Sequence, residues 1–115
     1  MVSVRREGSM LYVTIHTSTM ASQESPVIGN LIDDALAGVG QAARNLVLDL
    51  HSVDSVGSIA IGTLVTIQTT ALKRGMGVVL TGVSDRIIQV FKTMRLETVF
   101  TICNSQKDLA AAIKS

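Results

Sequence analysis

The chain has 115 residues, 47% of them hydrophobic, and ten basic and nine acidic side chains give it a net charge of +1. This length and apolar content suit one domain with an aliphatic core, and we expect residues 1–115 to form it. The evenly mixed charges argue against a nucleic-acid partner, and the three aromatic residues provide no stacking platform for single strands.

Few chemical groups are available for metal or cofactor binding. Cys103 is the single cysteine, and the two histidines, His16 and His51, lie far from it in sequence, so no metal cluster is predicted. No glycine-rich phosphate loop with a lysine is present, and we expect no cofactor. Without a signal peptide or a bilayer-length apolar run, we expect a cytoplasmic protein with no direct membrane insertion.

The N-terminal third predicts a hairpin followed by a helix. Strands are expected at Val2–Arg6 and Met10–Thr17, with a turn at Gly8 and Ser9 between them. Ser25 and Pro26 have the order of a helix cap and a first helical residue. The helix is expected to continue through apolar residues at helical spacing and to end at two glycines: Ile28, Leu31, Ile32, Ala35, Leu36, then Gly38 and Gly40.

The middle of the chain predicts two buried strands around a helix. Asn45–Leu50 and Gly77–Val83 are apolar runs with almost no polar alternation, which is typical of strands covered on both faces. Ser58–Arg74 is rich in β-branched residues, which favour strands. Its length, its basic end and the following Gly75 nevertheless favour a helix, which we expect to be largely buried.

Three further elements are expected towards the C-terminus. Ser84 is a plausible cap for an amphipathic helix Ser84–Thr93, and Thr98–Cys103 has the composition of one more strand. Ser105 and Asp108 have the spacing of a capping box before a last helix. The alternation of strands and helices predicts an α/β fold with parallel strands and right-handed crossovers.

The turn before Ser58 can be interpreted in three ways. A serine at a helix start commonly caps free amide groups and needs no other function. The helix end would also tolerate a phosphoryl group, which adds nearly two negative charges without disturbing the core. A catalytic triad of Ser58, His51 and Asp49 or Asp54 is the weakest interpretation, because the serine lacks the GxSxG elbow of such nucleophiles.

The segments "LVLDLHSVDSVGSIAIGTLV", "ALKRGMGVVLTGVSDRIIQVFKTMRLETVFTI" and "SQKDLAAAI" together resemble a STAS domain of the anti-sigma factor antagonist (anti-anti-sigma factor) family. "GSIAIG", Gly57–Gly62, occupies the position of the family's DSSGLG-like motif. The resemblance implies a STAS fold: a central mixed β-sheet of about five strands with about four α-helices packed mainly on one face.

The resemblance also implies a function. Antagonists of this family are not enzymes; they bind an anti-sigma factor that is often a serine kinase, and phosphorylation of the first motif serine ends the interaction until a phosphatase reverses it. That serine corresponds to Ser58, which is the expected phosphorylation site of a bacterial signalling protein that regulates transcription. The surrounding partner-binding residues would be Val56, Gly57, Ile59, Ile61 and Gly62.

The motif departs from the family pattern in three positions, where Gly57, Ile59 and Ala60 replace an acid, a second serine and a glycine. A motif serine followed by a bulky apolar residue is similar to the scaffold subunits of stressosomes, and some STAS proteins serve lipid-transport complexes without phosphorylation. A non-phosphorylated scaffold subunit of a larger complex, stressosome-like or associated with lipid transport, is therefore the alternative. A homodimer or an assembly with other STAS proteins is a further expectation. A nucleotide-binding or hydrolytic protein is a third and weaker option.

Overall fold

The computed structural model describes residues 2–17, 19–20, 25–39, 44–96 and 98–104. In these residues the elements follow in the order β1 (Val2–Glu7), β2 (Met10–Ile15), β3 (Thr19–Met20), α1 (Ser25–Val39), β4 (Asn45–Asp49), β5 (Ser55–Val56), α2 (Ser58–Lys73), β6 (Gly77–Thr81) and α3 (Asp85–Thr93). The predicted α/β class is confirmed. The described residues hold a mixed four-stranded sheet and three helices, fewer than the expected five strands and four helices. The helix expected after Ser105 lies outside the described residues.

The main sheet has the strand order β1-β2-β4-β6. β1 and β2 are antiparallel and form the predicted hairpin, in which Gly8 adopts a left-handed conformation with φ of 57°. β2 pairs in parallel with β4, and β4 in parallel with β6. Parallel neighbours need a long crossover connection, and α1 and α2 lie in these two connections.

The core lies between the sheet and the helices, and Ile87 and Phe91 of α3 belong to it. Most of its helical residues come from α1 and α2. The strand register aligns Leu11 with Leu46 and Val78, and the next inward row aligns Val13 with Leu48 and Leu80. These residues are buried together with apolar residues of both helices: Ile28, Ile32 and Leu36 of α1, and Ala60, Leu64 and Ile67 of α2. Val47 of β4 points the other way and is also fully buried, so the prediction that this strand is covered on both faces is confirmed.

The segment rich in β-branched residues is a helix, as predicted, and forms α2 (Ser58–Lys73). Gly75 lies just after this helix and has φ of 79°. Three threonine hydroxyls on α2 donate hydrogen bonds of 2.9–3.1 Å to the carbonyl four residues earlier: Thr63, Thr66 and Thr69. These bonds satisfy the hydroxyls within the helix. The expectation that α2 is largely buried is wrong, because Ile59 and Leu72 on its outer side are each 54% exposed.

The end of the described chain differs from the sequence prediction. Thr98–Cys103 is not a strand; it contributes one isolated parallel bridge between Leu80 and Ile102. The amides of Val99 and Phe100 donate instead to the carbonyl of Leu96, so pairing with β6 is limited to Leu80, which is hydrogen-bonded to Thr101 and Cys103. The predicted cap of α3 is confirmed, since the Ser84 hydroxyl accepts a 3.3 Å hydrogen bond from the Ile87 amide.

Candidate functional site

Ser58 is the first residue of α2 and is exposed. The cap position before it is Gly57, whose backbone is extended (φ −91°, ψ 178°) and whose carbonyl accepts a 3.1 Å bond from the Ile61 amide. The interpretation of Ser58 as the capping residue is therefore wrong, because Gly57 takes that place and has no side chain. Among the described residues, none forms a hydrogen bond with the Ser58 hydroxyl.

The start of α2 is electropositive. The first amides of a helix have no carbonyl partner within it, and here no side chain caps them. The first turn also lacks an acidic residue, and α2 carries no charged side chain before Lys73. Free amides and the positive end of the helix dipole favour an anion at this point. A phosphoryl group on Ser58 would therefore be compatible with the fold.

The five residues expected to bind a partner divide by burial. Gly57, Ile59 and Gly62 are exposed on one side of the helix start, and Val56 is half-buried. Ile61 is only 4% exposed because it lies on the inner side of α2, in the core. Ile61 thus does not contribute to the exposed surface, which consists of Gly57, Ser58, Ile59 and Gly62.

The loop before this surface is held by Asp49 at the end of β4. Its Oδ1 accepts a 2.9 Å hydrogen bond from the His51 amide and lies 2.8 Å from His51 Nδ1. Tyr12 donates to its Oδ2 at 3.4 Å. Burial, and secondly the Asp49 carboxylate, raise the pKa of Tyr12 above its usual value. Asp49 therefore ties the loop that leads to α2 to the end of the sheet.

Gly82, which is not among the predicted site residues, lies directly against this loop. Its φ is 67°, and a Cβ atom there would come within 2.8 Å of both Asp49 Oδ1 and the His51 backbone nitrogen. The available signal was a glycine directly after a buried strand, which often marks a close backbone approach. The contact between the ends of β4 and β6 thus requires glycine at position 82, because any other residue would place a Cβ atom there.

A pair of two-residue strands lies directly before the start of α2. Ser55 and Val56 of β5 pair in parallel with Thr19 and Met20 of β3, separately from the main sheet. No periodic pattern in the sequence indicated this pairing. It fixes the backbone immediately before Gly57 and so helps to place the start of α2.

The arrangement does not form a catalytic triad. His51 pairs with Asp49, but no hydrogen bond joins it to Ser58 in the part of the chain that the structure describes. The same residues contain no group of three metal-ligating side chains. None of the described helices has both the length and the apolar composition needed to cross a membrane.

Comparison with known proteins identifies the family. The model of the STAS domain matches residues 3–109, which confirms the resemblance seen in the sequence. A search of the curated proteins gave no match.

Three solved structures illustrate the shared fold. An anti-sigma factor antagonist from Mycobacterium paratuberculosis is 17% identical with a TM-score of 0.81, covering 97% of this chain and 92% of that one. A serine-to-glutamate variant of RsbS from Moorella thermoacetica is 22% identical with a TM-score of 0.75, covering 96% and 93%. The anti-sigma factor antagonist SpoIIAA in its unphosphorylated form is 10% identical with a TM-score of 0.69, covering 96% and 94%. At these identities the comparison establishes the fold.

Proposed function

This chain belongs to the STAS domain family, and from that premise we propose that it is an anti-sigma factor antagonist. In this proposal, the exposed surface at the start of α2 binds an anti-sigma factor that is also a serine kinase. Phosphorylation of Ser58 ends the interaction, and a phosphatase restores it. The protein would be a cytoplasmic, non-enzymatic regulator of transcription in which residues 1–115 form one STAS domain.

The observation that carries the proposal is the position of Ser58. The residue is exposed at the first position of α2, and its hydroxyl is not engaged by any described residue. A kinase can therefore approach it without unfolding the core. Structures of antagonists with the same fold include one in an unphosphorylated form, which supports a phosphorylation cycle in proteins of this architecture.

A phosphate on Ser58 would affect the stability of the folded chain and the binding of a partner in different ways. Within the chain, the free amides of α2 would stabilise the added charge. At the surface, the phosphate would stand beside Ile59, whose side chain is 54% exposed and suited to an apolar contact with a partner. Covering nearly two negative charges with an apolar partner surface carries a large desolvation cost. Binding would therefore be lost while folding is kept.

The test compares two substitutions of the same residue. We expect Ser58→Asp to weaken binding of the anti-sigma factor encoded in the native host by at least about tenfold, or about 1.4 kcal/mol, and Ser58→Ala to retain it. Isothermal titration calorimetry measures both affinities, with Ser3→Asp as a control that places the same charge on exposed strand β1. Equal affinities of the two Ser58 variants would rule out the phosphorylation switch.

A constitutive scaffold subunit is the second candidate. It is favoured by the residues around the serine, since Gly57 supplies no acid and Ile59 gives the exposed surface an apolar centre. Such a subunit would elute as a multimer or with a partner. It would also carry no phosphate. Size-exclusion chromatography and intact-mass measurement on protein purified from the native host separate the two candidates.

A further inference from the structure

A groove runs between α1 and α2 beside the start of α2. It encloses about 400 Å³, and its walls include Asn30 and Asp33 of α1 and Ile59 and Gly62 of α2. The two helices approach each other closely at Gly29, where a Cβ atom would lie 3.2 Å from the methyl group of Thr63. The groove therefore opens on the exposed surface that contains Ser58.

Asp33, which lines this groove, has one carboxylate oxygen with no partner among the described residues. Oδ1 of Asp33 is buried and makes no hydrogen bond in the part of the chain that the structure describes. Buried carboxylate oxygens normally accept hydrogen bonds, because leaving one unsatisfied is costly. The carboxylate torsion is broad, so either oxygen can be turned towards the groove. Asp33 thus offers a hydrogen-bond acceptor that no described residue satisfies.

Two hydroxyl groups that line the groove also favour a donor. The hydroxyls of Thr63 and Thr66 already donate to carbonyls of α2, so only their acceptor lone pairs remain. The charged residues of α1 are Asp33 and Asp34, and α2 has none before Lys73. Asp33 is therefore the one charged side chain among the described residues that line the groove, and it lies there with the hydroxyl oxygens of Thr63 and Thr66. Exposed Ile59 at its rim offers an apolar surface for the stem of a long side chain.

We propose that this groove binds an arginine side chain of a protein partner. A guanidinium group carries five donors in a planar fork and can bond to a carboxylate and to neighbouring hydroxyl oxygens at once. A lysine ammonium offers a compact charge without this fork, and a neutral side chain leaves the Asp33 charge unpaired. The inference rests on the proposed function only in taking the partner to be a protein that docks beside Ser58.

The experiment is a titration of the isotope-labelled chain with N-acetyl-arginine amide, followed by nuclear magnetic resonance. We expect saturable shifts of the Asn30, Gly62 and Thr63 amides. N-acetyl-citrulline amide has nearly the same shape without the charge, and it should bind at least about tenfold less tightly, a difference of about 1.4 kcal/mol. N-acetyl-lysine amide should also bind more weakly than the arginine probe.

Two variants and one control identify the binding groups. Asp33→Asn keeps the shape of the side chain and should weaken binding of the arginine probe about tenfold, whereas Asp34→Asn, the same change on an exposed neighbour, should not. Gly62→Leu places a side chain in the groove, where a Cβ atom meets no atom within 4 Å, and should also block the probe. The spectra of the variants report whether each is folded.

The proposal is overturned if the groove amides do not shift, if citrulline binds as well as arginine, or if the two aspartate variants weaken binding equally. Shifts that change on dilution without any probe would assign the groove to a second copy of the chain and also overturn it. The titration needs neither the anti-sigma factor nor phosphate. Its failure would leave the Ser58 switch untouched, and failure of the switch would leave the titration unaffected.

Discussion

Replacing Gly82 by alanine tests how the loop before α2 is held. The substitution imposes two separate costs. A left-handed conformation costs an L-residue about 1–2 kcal/mol, and Gly82 has φ of 67°. The new Cβ atom would also lie within 2.8 Å of Asp49 Oδ1 and of the His51 backbone nitrogen. Because one of these atoms belongs to the backbone, turning a side chain cannot relieve the clash.

The second cost of the substitution is the loss of hydrogen bonds to Asp49 that the new Cβ atom displaces. Hydrogen bonds to charged groups contribute about 1.5–3 kcal/mol each. If the substitution breaks the 2.9 Å bond between the His51 amide and Asp49, the total reaches about 2.5–5 kcal/mol when the conformational strain is added. A domain is stable by only about 5–15 kcal/mol, so this loss is a large and measurable share of the total.

Urea denaturation of the purified chain measures the free energy of unfolding. Gly75→Ala is the matched control, since Gly75 has a similar φ of 79° but a Cβ atom there would meet no other atom within 4 Å. It should cost only the strain of about 1–2 kcal/mol. If Gly82→Ala and Gly75→Ala destabilise the chain equally, the close approach between the ends of β4 and β6 does not constrain the loop.

Three further substitutions test other contacts. Gly57→Asp should raise the free energy of unfolding by up to about 1 kcal/mol, because it caps the free amides of α2 in open space; an unchanged urea midpoint would contradict it. Gln68→Leu should cost about 1–3 kcal/mol in the same assay, since it removes the 2.6 Å bond to the Val99 carbonyl; Gln89→Leu, at an exposed position of α3, is its control. The pKa of Tyr12 is higher in the folded chain than in the unfolded chain, so the protonated Tyr12 hydroxyl contributes to stability. This contribution is complete below about pH 10 and is lost as the pH rises through the raised pKa of Tyr12. Tyr12→Phe should therefore flatten the fall in the urea midpoint above about pH 10, and an identical profile for both proteins would contradict this.

Local signals were sufficient to predict most of the fold. The apolar runs gave β4 and β6 because a strand covered on both faces has no polar alternation. Ser84 marked the start of α3 because its hydroxyl bonds the Ile87 amide, a contact between near neighbours in the chain. For α2, the glycine stop and the basic last turn outweighed an unfavourable composition. Each of these signals lies within or directly beside one element.

Long-range contacts decided what the sequence analysis missed. Thr98–Cys103 has strand composition, but Gln68 of α2 holds the Val99 carbonyl, and Phe100 stacks on Phe91 at a centroid distance of 5.0 Å. These contacts with residues outside the segment draw it away from regular pairing with β6. The two-residue strands β3 and β5 are too short to show any periodicity.

The candidate site was only partly readable for the same reason. Ser58 was identified from its position before an apolar segment, but its burial depends on which way α2 turns. The prediction that Ile61 lies on the surface is wrong, although Leu64 and Gln68 follow it at helical spacing and share its buried side. That pattern was available in the sequence. The orphaned oxygen of Asp33 was not, because it depends on how α1 packs against α2.

The phosphorylation of Ser58 and the binding of an arginine in the groove both involve the start of α2. Ile59 and Gly62 line the groove that contains Asp33, and they follow Ser58 closely in the helix. A phosphate on Ser58 carries up to about two negative charges, whereas Asp33 carries at most about one, so the phosphate would compete for a guanidinium group in the groove. The partner's arginine would leave Asp33, and its apolar contact with Ile59 would be lost with it. Ser58→Asp adds one negative charge, the same as Asp33, so in this variant the arginine probe should shift the Gly57 amide in addition to that of Asn30; shifts confined to Asn30 would show that the two sites act independently.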